Sequence, residues 1–126
     1  MEPTSDLAQL TEAVRRFAEA REWGQFHTPK NLAMALSGEV GELVAELQWL
    51  TDEQVGIQVA DSPLRDRVED EVADVLMYLV RFADVCGIDP VAAARAKLGR
   101  NETRYPVDKA RGSARKYTDL AADGPA

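Results

Sequence analysis

Two pairs of carboxylates carry the chemistry open to this chain: Glu39 with Glu42, and Glu71 with Asp74, three residues apart in each case. At about 100° per residue of helix, Glu39, Glu42, Glu46 and Trp49 share one quarter of a helix surface. Glu71, Asp74, Tyr78 and Arg81 share one quarter of another. Beside each polar stripe runs an apolar one, Leu36, Val40, Leu43, Val44, Leu47 and Leu50 on the first helix and Val68, Val72, Val75, Leu76, Leu79 and Phe82 on the second. Packing the apolar stripes together sets the acids side by side, where they repel one another and raise some of their own pKa values. A divalent cation relieves that repulsion. Hard ions prefer oxygen ligands, and the absence of cysteine or histidine from both pairs points to Mg²⁺ or Mn²⁺. An acidic pair beside an apolar seam is more often a solvated helix edge, but two pairs in matching positions weaken that explanation.

The match extends beyond the acids. Glu39-Val40-Gly41-Glu42-Leu43 aligns with Glu71-Val72-Ala73-Asp74-Val75 thirty-two residues later, and Leu47 falls on Leu79. Two helices related by a local pseudo-twofold would offer equivalent ligands to one shared site. Other chemistries fit less well. A carboxylate-bridged di-iron bundle needs Glu-x-x-His motifs, and the only histidine, His27, lies in a loop. Neither a Walker phosphate loop nor a Gly-x-Ser-x-Gly elbow occurs. Ions of the Mg²⁺ type usually work on phosphates, and a triphosphate would be held by metal and by Lys97, Arg100 and Arg104. Trp23, Trp49 and Tyr78 offer planes on which a nucleobase can stack, although core packing is the commoner role for each.

The elements that must position these residues read as helices throughout. Thr4 or Ser5 caps a first helix running to about Glu22, with Leu7, Leu10, Val14 and Phe17 on a face to be buried. A loop with large rings, Trp23, Phe26 and His27, precedes a second helix that starts at Pro29 or just after it. Gly38 and Gly41 inside that helix cost it about 0.5–1 kcal/mol each and hint at close approach by another backbone or a ligand. Thr51 to Ser62 reads as a polar linker, and Pro63 opens a third helix that ends at Cys86, before Gly87. Asp89 caps a fourth helix from Pro90 that breaks before Pro106. No period-two strand pattern occurs, so the fold class is all-α with four helices. Residues 1–110 form one domain, and residues 111–126 a basic tail with Arg111, Arg115 and Lys116.

Composition narrows the partners. The chain has 126 residues and a formal net charge of −7, which argues against a nucleic-acid polymer or an anionic membrane as the main partner. The longest apolar run, Val75 to Val80, is too short to span a bilayer. The single cysteine, Cys86, is expected to be buried as a small hydrophobe. Without an internal disulfide the natural compartment is the reducing cytoplasm.

The chain resembles the MazG-like all-α nucleoside triphosphate pyrophosphohydrolases, and most closely their dCTP pyrophosphatase branch. The resemblance rests on Trp23-Gly24-Gln25-Phe26-His27, Pro29 to Leu32, GEVGELVAELQW from Gly38 to Trp49, and Asp74-Val75-Leu76 with Tyr78-Leu79. It continues through Lys97, Asn101, Arg104-Tyr105-Pro106 and RGSARKYTDL from Arg111 to Leu120. It implies a four-helix bundle-like MazG fold assembled as a dimer of dimers, a homotetramer. It implies cleavage between the α and β phosphates of a nucleoside triphosphate, dCTP or 5-modified dCTP first, to the monophosphate and pyrophosphate. Glu39, Glu42, Glu71 and Asp74 would hold Mg²⁺, one of them also orienting or deprotonating the attacking water. Trp23, His27, Asn31, Trp49 and Tyr78 would line the nucleotide pocket, with Lys97 and Asn101 near phosphates and sugar. Within that pocket His27 is expected to read the edge of a pyrimidine; the alternative is that it caps the second helix. A broad (d)NTP pyrophosphohydrolase and a non-enzymatic acidic helical interaction module are the alternative functions. This chain departs from the family pattern at Glu46, which follows Ala45, and in the linker from Thr51 to Asp66.

Overall fold

The computed structural model of the chain describes residues 4–122; residues 123–126 of the basic tail lie outside the described residues. All regular structure among them is helical, in two compact units, Met1–Ile88 and Asp89–Ala126.

The first unit is arranged about its longest helix. Helix α1 (Asp6–Ala20) starts where Ser5 accepts the Ala8 N–H, and it stops two residues short of the expected Glu22. Glu22 adopts the left-handed conformation, φ 55°, and turns the chain into a 3₁₀ turn at Trp23–Gln25. Helix α2 (Pro29–Leu47) is capped by Thr28, with proline at a first-turn position where its missing N–H costs nothing. Helix α4 (Pro63–Cys86) begins in the same way at Ser62 and ends at Gly87, φ 68°. Each of α1, α2 and the short α3 (Asp52–Ala60) packs on α4, α2 most extensively. The stripes read from the sequence therefore do meet.

Three expectations need correction. The stretch Thr51–Ser62 is not a bare linker, because α3 forms there on a reciprocal capping box between Thr51 and Gln54. Cys86 is exposed, because it ends α4 where the helix has run past the core. Among the described residues a Cβ at Gly38 or Gly41 would meet nothing within 4 Å, so neither glycine is required by a backbone of the same chain packed against it. The left-handed Gly87 is the glycine the fold needs. Gly87→Ala is expected to lower unfolding stability by about 1–2 kcal/mol, since an L side chain in that conformation clashes with its own carbonyl; chemical denaturation would measure it.

The buried core of this unit is small, namely Ala18, Leu32, Leu64, Val80 and Ala83. Much of both apolar stripes stays open, with Val44 53% and Val72 52% exposed, and Val40, Leu76 and Leu79 more than a third exposed. A single chain leaves these faces without cover.

The second unit comprises α5 (Pro90–Arg104, capped by Asp89), α6 (Val107–Ala110) and α7 (Tyr117–Ala122). Tyr105 meets Tyr117 edge-on at 6.0 Å, and the Arg104 guanidinium lies 4.7 Å from the Tyr117 ring centroid. The basic stretch thus leads into a short helix that packs on the end of α5. No helix among the described residues is long and apolar enough to cross a membrane.

Candidate active site

Helices α2 and α4 bring Glu39, Glu42 and Glu71 together so that one carboxylate oxygen of each lies within 4.8 Å of the others. Glu39 Oε2 and Glu71 Oε2 are buried with no hydrogen-bond partner. Buried carboxylate oxygens are ordinarily satisfied, and these face other carboxylates instead. The consequence is visible in their acidity. Desolvation first, then the negative charge of Glu42, Glu39 and Asp74, push the Glu71 carboxyl up to about 7. Desolvation, with Glu42 and Asp74 next, also raises Glu39. Asp74 lies outside the three-residue cluster but acts electrostatically on two of its members. Three oxygen donors with two unsatisfied buried atoms suit a hard divalent cation and no thiophilic one. Glu46, the third acid of the α2 stripe, accepts the Arg67 Nε–H at 2.9 Å and is engaged there.

Glu39 and Asp74 also face a cavity of about 450 Å³, whose wall is otherwise largely apolar and aromatic. Trp23, His27, Tyr78 and Arg81 line it together with Leu10, Val14 and Phe17 of α1. The α1 face expected to be buried therefore serves as a cavity wall, and Phe17 is 50% exposed. The rings are fixed by one another: Phe17 meets Trp23 edge-on at 5.6 Å, and Trp23 meets His27 at 6.1 Å. Thr28, not His27, caps α2, since its hydroxyl accepts the Asn31 N–H.

The remaining residues read from the sequence fall elsewhere. Asn31 does not line the cavity; its side-chain amide donates to the Phe26 carbonyl at 3.0 Å and so ties the aromatic loop to α2. Trp49 stands in the turn after α2 and is 86% exposed. Lys97 and Asn101 are one helical turn apart on α5, in the second unit. The sequence reading assigned no role to Arg81 or Asp84. Arg81 stood in plain view at the end of the α4 polar stripe, but its partner His27 is 54 residues away, a pairing no local pattern reveals.

This geometry has relatives. Residues 35–120 match the MazG-like family, and the chain belongs to it. It is 45% identical over 119 residues to dCTP pyrophosphatase 1 of Bos taurus, covering 94% of this chain and 69% of that one. It is 44% identical over 118 residues to dCTP pyrophosphatase 1 of Homo sapiens, with the same coverage. Among solved structures, a pyrophosphatase from Archaeoglobus fulgidus superposes with a TM-score of 0.75 at 37% identity, covering 84% of this chain and 97% of that one.

Proposed function

We propose that the protein hydrolyses dCTP to dCMP and pyrophosphate, with Glu39, Glu42, Glu71 and Asp74 as the ligands of Mg²⁺. The observation that carries this reading is the junction of two unlike surfaces: Glu39, which shares an acidic cluster with Glu42 and Glu71 and has a buried, unpartnered carboxylate oxygen, also lines with Asp74 a cavity whose remaining wall is largely aromatic and apolar. A nucleotide has the same two halves. A divalent cation held there would neutralise triphosphate charge and make a bound water more acidic. The chain's own residues do the rest. Trp23 and Tyr78 offer stacking surface for the base, and His27 offers a polar atom beside them. One of the four acids is suited to orient the attacking water or to accept its proton. The dCTP pyrophosphatase relatives favour cytosine as the base. The assignment of Lys97 and Asn101 to phosphates and sugar rests on the family resemblance alone, and Asn31 serves by holding the loop that carries Trp23 and His27.

A panel of deoxy- and ribonucleoside triphosphates assayed for pyrophosphate release tests the reading. dCTP should be turned over with the highest kcat/KM. Equal turnover of dCTP, dTTP, dUTP and dATP would remove the cytosine assignment and leave a broad pyrophosphohydrolase.

The open apolar faces of α2 and α4 support assembly as a homotetramer, a dimer of dimers, since faces of this kind mark association surfaces. Trp49, exposed in one chain, is then available to a neighbouring copy. Sedimentation at micromolar concentration should show an oligomer; a stable species at the chain mass of 13.9 kDa would contradict it.

A further inference from the structure

Arg81 has no part in the hydrolysis proposed above, yet it is the one charged residue buried among those described, 8% exposed. Its Nε–H donates to His27 Nδ1 at 3.0 Å. Its Nη1 donates to the Asp84 carboxylate at 3.4 Å. Arg15 of α1 grips the same carboxylate through both oxygens, at 2.8 and 2.6 Å. A chain of charge thus runs from Arg15 through Asp84 and Arg81 to the imidazole in the cavity wall.

A guanidinium can only donate, so the nitrogen it meets must present a lone pair. His27 Nδ1 therefore carries no proton, and the proton of the neutral ring stands on Nε2. Burial and the Arg81 charge lower the His27 pKa, which favours that neutral form. Nε2 has no hydrogen-bond partner among the described residues, and the ring packs edge-on against Trp23 in the cavity wall.

We propose that Arg81, anchored by Asp84 and Arg15, is a positioning residue that fixes His27 as a hydrogen-bond donor toward the nucleobase, and that this fixed polarity selects cytosine over thymine and uracil. The inference rests on the pyrophosphohydrolase reading of the same cavity. Cytosine presents a lone pair at N3, whereas thymine and uracil present N–H there. A histidine free to exchange tautomers could accept from one and donate to the other. One whose Nδ1 is held by a guanidinium cannot, and a mismatched base leaves two donors facing each other, the kind of unpaired contact by which sites reject close analogues. The spacing along α4 agrees. Arg81 lies seven residues beyond Asp74 on α4, a rise of roughly 10 Å at 1.5 Å per residue, so the residue that holds His27 is about two helical turns from the Asp74 end of the cavity wall.

Because His27 is the only histidine, a long-range ¹H–¹⁵N spectrum reports its tautomer without ambiguity. The wild-type protein at neutral pH should show Nε2 protonated and Nδ1 bare, and its kcat/KM for dCTP should exceed that for dTTP. Arg81→Met keeps the apolar stem and leaves Asp84 paired with Arg15. It should mix the tautomers and lower the dCTP-to-dTTP ratio about tenfold or more, with Arg81→Lys recovering part of that ratio. If Arg81→Met does not fold, Arg81→Lys and Asp84→Asn make the same comparison, each with a smaller fall. A wild-type His27 protonated on Nδ1 overturns the proposal. So does a folded Arg81→Met whose tautomer and substrate ratio are unchanged, which would reduce Arg81 to a structural ion pair. A wild-type enzyme that releases pyrophosphate from dCTP and dTTP equally overturns the selection while the hydrolase reading stands, and one that cleaves no nucleotide overturns both.

Discussion

Glu71→Gln is expected to abolish most turnover, by about 10²–10⁴-fold, while leaving the metal-free protein folded and, above neutral pH, more stable. The two effects have one cause. Glu71 sits within 4.8 Å of Glu39 and Glu42 with one oxygen buried and unpartnered, so its charge is costly until a cation arrives. Glutamine keeps the shape, removes the repulsion that helps hold the Glu71 carboxyl up at about 7 in the metal-free protein, and takes away a ligand. Glu42→Gln should lower turnover for the ligand reason alone. Steady-state kinetics and thermal unfolding in chelator check both halves. Activity above about a tenth of wild type would contradict a metal-site role.

The second large effect is on stability as pH and Mg²⁺ vary. Glu71 binds its proton more tightly in the folded state, at about 7 against an ordinary 4.5, and Glu39 shifts in the same direction. The folded protein then holds more protons than the unfolded one between those values, so metal-free stability falls as pH rises through that window. His27 works oppositely: its lowered pKa adds stability as pH rises toward 6.5. Asp84, held low by Arg15 despite its partial burial, changes stability only below about its ordinary 3.8. The comparison of wild type with Glu71→Gln therefore isolates the acidic cluster, and the variant should show the weaker decline. A cation bound only to the native state at a hundred times its Kd adds about 2.7 kcal/mol, on the order of 10 °C for a domain of this size. Scanning calorimetry in Mg²⁺ or EDTA at pH 8 should show that shift. Its absence, with nucleotide also present, would favour the helical interaction module.

Much of this site was legible before the structure. The helical period alone placed Glu39 with Glu42 and Glu71 with Asp74, and local rules supplied the helix starts, since proline follows a capping Thr28, Ser62 or Asp89 in each case. What escaped was decided by distance in the chain or by competition between local signals. The α3 capping box was present in Thr51 and Gln54, but the polar composition and Gly56 outweighed it. The apolar face of α1 was recognised, yet periodicity cannot distinguish a face that closes a core from one that lines a cavity, as Leu10, Val14 and Phe17 do. The Arg15–Asp84–Arg81–His27 network joins residues 69 and 54 positions apart, so only the folded chain displays it.

The most direct test of the central claim is the product ratio from a single substrate. Wild-type protein with dCTP and Mg²⁺, its products separated by chromatography, should yield one dCMP for each pyrophosphate, with no dCDP, and none of either product in chelator. Formation of dCDP with inorganic phosphate would place the cleavage between the β and γ phosphates and contradict the account, as would full activity in the absence of divalent cation.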